Sequence, residues 1–188
     1  MENKIKKKKA SLGLPIISIS TAENVGKVNN LIVNGNDGTV DYILVETGDK
    51  AISSLVISTR DIIGVGEYAT TIDSEGVMID ISSVPDAIEL LQKNVQIKNT
   101  SILTKNGNLI GKSGDFFVDD DFNISALEFI EEGNSNEVKI ILRKDVITFG
   151  KNLIVVAEDV EEKILDSEED LISDETSSFF IDPMKKAL

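Results

Sequence analysis

Cysteine, histidine and tryptophan are absent from the 188 residues, and proline occurs only three times. Without Cys and His the chain has no thiol nucleophile, no Ser/His/Asp triad, no disulfide framework and no structural zinc site. Catalysis would have to rest on carboxylates, Lys, Ser/Thr and two Tyr. No arrangement of these argues for a reaction, so the expectation is a non-enzymatic protein with no catalytic residues, no metal and no cofactor. Long hydrophobic runs are missing as well. No stretch reaches the roughly 18 apolar residues of a spanning helix, and no transmembrane segment is expected. The lack of cysteine fits a reducing compartment, and the expected location is cytoplasmic.

What is present is 41% apolar and 28% charged residues, the balance of one large or two small globular domains. The net charge of −14 repels nucleic acid and anionic lipid, so DNA is excluded as a partner and RNA is disfavoured. The two ends carry opposite sign. Met1–Ala10 contains five Lys and one Glu, whereas Glu158–Leu188 contains eleven acids and three Lys. The basic start followed by Ala10–Ala22 imitates a secretory signal. Its apolar part is broken by Gly13, Pro15, Ser18 and Ser20, and Ile16–Ser20 reads better as a strand. Lys6, Lys7, Lys8 and Lys9 could give a weak, salt-sensitive peripheral contact with a membrane surface, although a disordered solubilising arm is favoured.

Short runs rich in Val, Ile and Thr, separated by Gly/Asn/Asp clusters, recur about every eight to twelve residues, which is an all-β pattern. The strands are expected at Ile16–Ile19, Gly26–Val33, Val40–Glu46, Leu55–Ser58, Tyr68–Asp73 and Val77–Ile81. The second half then repeats the first. Gly26–Val33 aligns with Gly111–Val118 at an offset of 85, one residue drops out in the next turn, and Val40, Ile43, Val45, Val56 and Ile57 align with Ile124, Leu127, Phe129, Ile140 and Ile141 at 84. A single deletion in a turn is what a duplicated β domain should show. Apolar positions of period two, matched in both copies, predict that each copy builds its own core. Between them Ser83-Val84-Pro85-Asp86 starts a linker helix, with Ser83 as a capping-box residue and Asn94 as its stop. After Ala157 the spacing Val156, Val160, Ile164 predicts a further helical turn. Asp166–Ser178 is acidic and polar enough to be disordered.

The segment LPIISISTAENVGKVNNLIVNGNDGTVDYILVE, with a Gly-Lys-Val turn between an entry strand and a long apolar strand, together with RDIIGVGEYATTID, resembles the PRC-barrel domain family. The repeat implies two tandem copies, although the second departs at Ser113 and Gly114, where Val28 and Asn29 stand in the first. The expected layout is a basic arm at 1–13, a first barrel at 14–82, a linker helix at 83–94, a second barrel at 95–159 and a partly disordered acidic tail at 160–188. The family's small β-barrel occurs in the cytoplasmic part of the photosynthetic reaction-centre H subunit and at the end of a ribosome-maturation factor. The resemblance therefore implies a docking or assembly module whose partners are other proteins. The alternatives are a ribosome-maturation or ribonucleoprotein-associated factor, or a module that binds a small ligand.

Three motifs need weighing. Gly107–Ser113 looks like a phosphate-binding loop but is one residue short between its glycines and continues into a strand, so no nucleotide is expected at Lys112. Asp119-Asp120-Asp121-Phe122-Asn123 has the start of a calcium loop, but its continuation fails and it aligns with the Asn34–Gly38 turn. Acid pairs such as Asp41 with Glu46 or Glu131 with Glu132 read as solvated barrel faces. In the tail, Phe179, Phe180 and Ile181 form an apolar island and are the candidate partner-binding residues.

Overall fold

The β-branched runs separated by glycine- and asparagine-containing turns fold as antiparallel ribbons, because branched side chains pack well on a pleated surface and the turns accept positive φ. A computed structural model describes residues 6–7, 12–49, 54–168 and 170. Its first half runs through β2 (Pro15–Ser18), β3 (Glu23–Asn34), β4 (Thr39–Glu46), β5 (Leu55–Ser58), β6 (Ile62–Val65), β7 (Thr70–Ile72) and β8 (Ile79–Asp80). The second half runs through β9 (Ser101–Thr104), β10 (Leu109–Val118), β11 (Ile124–Glu131), β12 (Val138–Leu142), β13 (Val146–Phe149) and β14 (Leu153–Val156). Helix α1 (Pro85–Lys93) joins them.

The two sheets have the same strand order. In the first it is β6-β7-β2-β3-β4-β5-β8, and in the second β13-β14-β9-β10-β11-β12. In each, one parallel pair, β2 with β7 or β9 with β14, brings the last long strand back beside the first, and the other pairings are antiparallel. The fold is all-β, with two barrel-like halves. The offset read from the sequence carries into three dimensions. The single-turn 3-10 helices Thr59–Asp61 and Arg143–Asp145 follow β5 and β12, and Glu75–Val77 and Val160–Glu162 follow β7 and β14.

Several local expectations are corrected. Ser83 does not cap the helix; Val84 occupies the cap position without a side-chain bond, and Asp80 caps the preceding 3-10 turn by accepting from Ser82 N–H and Oγ at 2.8 and 2.7 Å. Pro85 still opens the helix and Asn94 closes it at φ 49, as a left-handed cap residue does. Val156 ends a strand instead of starting a helix, so the spacing to Val160 and Ile164 is not one helical face. Val160 is buried in a 3-10 turn, and Leu165 pairs with Ile140, in the place where β8 pairs with Val56 in the first half. Lys163 holds this return to the barrel, 2.8 Å from Asp159 and 3.7 Å from the buried Asp145. The N-terminal arm also makes a contact: β1 (Lys6–Lys7) pairs with Val118 and Phe117 at the edge of β10.

The cores are not separate. The inward residues of both halves, from Ile16, Val28 and Ile43 to Phe116, Leu127 and Ile154, belong to one contiguous cluster. Period two specifies which face of a sheet is apolar, but the partner of that face is decided when the two halves pack. Each fully buried Ile or Phe stabilises by about 1.5–3 kcal/mol, so a shared cluster binds the halves strongly.

Candidate functional site

The halves meet through their equivalent hairpin turns. In the first, Asn34 Oδ1 accepts from the amides of Asn36 and Asp37 at 3.1 and 3.2 Å; in the second, Asp119 Oδ1 accepts from Asp121 and Asn123, both at 2.9 Å. Gly38 and its counterpart Phe122 both take the left-handed conformation, at φ 67 and 62. The turns then bridge. Val40 N–H donates to Phe122 O and Ile124 N–H donates to Gly38 O, both at 2.9 Å, with Thr39 opposite Asn123. These partners exchange with one another under the offset of 84, so the contact is its own counterpart, as in an isologous dimer interface. Glycine suits position 38 by its φ, which Phe122 adopts at a cost, and by leaving room for Arg143, whose Nε a Cβ there would approach to 2.5 Å.

Beside this junction lies a polar cleft of about 600 Å³ between the two turns, the 3-10 turn after β5 and α1. Asp41, half-buried on β4, is held in it by Asn34 Nδ2 at 2.9 Å and Thr39 Oγ1 at 2.5 Å. Thr59 Oγ1 donates to Val40 O at 2.9 Å and fixes the opposite wall. Burial, then the Asp86 and Asp41 carboxylates, hold the Tyr42 hydroxyl above the ordinary phenol range, with Arg60 pulling the other way. Tyr42 therefore stays a hydrogen-bond donor throughout the neutral range. The Glu89 carboxylate is held below its usual range by its hydrogen bond to Lys93, at 2.9 Å.

Each sheet also has an edge strand with one outward apolar residue. β6 pairs only with β7, and β13 only with β14, among the described residues. Both edges bulge: Ile62 and Gly64 pair with Ile72 and Thr71, leaving Ile63 extra, and Val146 and Thr148 pair with Val156 and Val155, leaving Ile147 extra. These two counterparts are 59% and 52% exposed. A bulge turns its extra side chain out of the pleat, which is why alternation in the sequence did not mark them.

The residues singled out in the sequence scatter. Phe179, Phe180 and Ile181, with Lys8 and Lys9, lie outside the described residues. Lys112 is exposed on β10, and Gly111 before it has a structural reason: a Cβ there would collide with Ile130 O and Phe129 where β11 crosses closely. Asp41 and Glu46 occupy one strand, but only Asp41 reaches the cleft. Tyr42, Thr59 and Arg60 gave no signal, because the cleft exists only once the halves are apposed. Among the described residues no helix is long and apolar enough to cross a membrane.

The sequence model of the PRC-barrel domain matches residues 12–87, which span the first half and the start of α1. The second half shares its strand order but lies outside the match. No curated protein matches the chain.

Proposed function

We propose that this chain is a non-enzymatic, cytoplasmic docking or assembly module that engages other proteins through its barrel edges. One observation carries the reading. Ile63 and Ile147 occupy the same bulge in the two halves, and both face solvent. A single exposed Ile is ordinary, but a solvent position tolerates polar residues, so an Ile in both copies suits an edge that meets an apolar partner surface. The backbone of β6 and β13, paired on one side only among the described residues, lets an extended partner segment add a strand there. The apolar island Phe179-Phe180-Ile181 serves in this reading as a further docking element.

The test is quantitative affinity purification of the full chain from its own cells beside an Ile63→Lys, Ile147→Lys double variant. The variant should keep its melting temperature and lose capture of the bound proteins by about tenfold, equivalent to about 1.4 kcal/mol. Truncation after Ser178 should also weaken capture without changing the melting temperature. Equal capture by all three chains would remove the edges and the island as docking surfaces.

A further inference from the structure

The two edge strands differ in charge. Around β6, Asp61 and Glu67 flank the outward Ile63, and all three are exposed; Arg60 beside them lines the polar cleft. Around β13, Lys144 and Lys151 flank the outward Ile147, and these too are exposed. Glu67 and Lys151 are counterparts under the offset of 84, so one position carries opposite charge in the two halves. Asp145, the counterpart of Asp61, does not offset the lysines: its carboxylate is buried and lies 3.7 Å from Lys163. Arg143 adds a further positive group over the Phe149 ring, 5.1 Å from its centroid. Apolar surface accompanies the charge at both edges, with Tyr68 81% exposed in the turn after β6 and Leu153 39% exposed at the start of β14. An acid–Ile–acid order thus stands on one edge and a Lys–Ile–Lys order on the other, in a chain whose net charge is −14. Like edges repel each other, because charges of one sign directly opposite across strands are destabilising, whereas unlike edges match whichever way the strands run.

We propose that β6 of one copy pairs with β13 of another, so that this chain associates head to tail with itself. The inference rests on the docking reading of these edges and names their partner as a second copy. Ladder bonds between two strands of four residues, the Ile63 and Ile147 side chains and two charge matches make a small contact, in the weak and transient class. Because the paired surfaces are unlike, each added copy leaves one edge of each kind open, and the product is a row or a ring. The purified full chain is followed by sedimentation velocity from about 10 μM to about 1 mM. An ionic strength of about 0.1 M screens the repulsion between net charges beyond about 10 Å and leaves neighbours a few Å apart in contact. The mean mass should rise with concentration above that of one chain. Lys144→Glu with Lys151→Glu, and separately Asp61→Lys with Glu67→Lys, should each weaken association by about tenfold or more at an unchanged melting temperature. An equimolar mixture of the two variants should associate again, since each then offers the charge that the other lacks. A chain that stays monomeric at every concentration overturns the second copy as partner; the docking reading then stands or falls by the capture experiment, which tests other proteins. An assembly that either variant leaves intact also overturns the proposal, because like edges or another surface would then hold it, and so does a mixture that stays apart.

Discussion

The two halves solve the same problem differently at the bulge of their long strand. In β3 the bulge falls at Val28/Asn30, and Asn30 Oδ1 accepts the amide of Leu31 at 2.9 Å, a repair made by the adjacent side chain. In β10 the equivalent bulge falls at Ser113/Phe116 and the repair comes from outside the strand. Ser113 Oγ donates to Ile97 O and accepts from Thr100 N–H at 2.9 Å, and Glu128 of β11 accepts from Asp115 N–H at 2.9 Å. The buried Asp115 carboxylate is met by Lys98 at 2.9 Å, and a Cβ on Gly114 would stand 2.7 Å from Glu128 Oε2. A bulge always leaves backbone donors without a ladder partner, and buried donors must be satisfied. What differs is whether the partner is local or distant. The departure of Ser113-Gly114 from Val28-Asn29 is the mark of the distant solution.

The largest effect should separate the halves at their strand crossing. Gly111→Ala forces Ile130 and Phe129 aside and should cost roughly 3 kcal/mol. Gly26→Ala, whose Cβ would meet Val45 Cγ1 at 2.8 Å and Glu46 O at 3.0 Å, should cost less, about 1–2 kcal/mol. Urea unfolding of both variants measures this, and equal midpoints would show that the second crossing is no tighter than the first.

A smaller difference is expected at the bulge itself. Glu128→Leu restores the residue type found at Leu44, its counterpart, but strands the Asp115 amide, at a cost of about 1–3 kcal/mol. Asn30→Ala removes a half-exposed bond and should cost about 0.5–1 kcal/mol. If Glu128→Leu proved neutral while Asn30→Ala did not, the distant network would be dispensable and the local cap essential, the reverse of this account.

The smallest effect concerns Tyr42, whose counterpart is Ala126. Its hydroxyl is raised above the ordinary phenol value, so the folded chain holds that proton more tightly than the unfolded one. The contribution is complete below about pH 10 and is lost as pH rises through the folded value. Stability of the parent chain should therefore fall more steeply above pH 10 than that of Tyr42→Phe, and parallel curves would show that neither burial nor the Asp86 and Asp41 carboxylates raise the hydroxyl.

Much of the fold was readable because it follows from local chemistry. Val/Ile/Thr runs marked β4 and β5 to within a residue and β3 except for its first three residues, Pro85 and Asn94 marked the ends of α1, and Asn34 and Asp119 marked equivalent turns. Short elements were less readable. β6 is interrupted by Gly64 and a bulge, and the 3-10 turns at Glu75–Val77 and Val160–Glu162 are held by two or three i to i−3 bonds each, too few to impose a periodicity. Of the candidate site, only the turn residues and Asp41 were visible, and Asp41 only as part of a solvated face.

Residue order alone determined which face of each strand is apolar, where the chain turns and that the second half repeats the first, because pleat, turn conformation and offset depend on neighbours in sequence. Tertiary structure alone decided that the two apolar faces merge into one cluster, that Thr39 and Asn123 meet across a pseudo-two-fold contact, and that Asp41, Tyr42 and Asp86 share a cleft. Those features depend on the distance between groups far apart in the chain, and hydrophobic burial, which drives the halves together, is non-directional until packing gives it a partner.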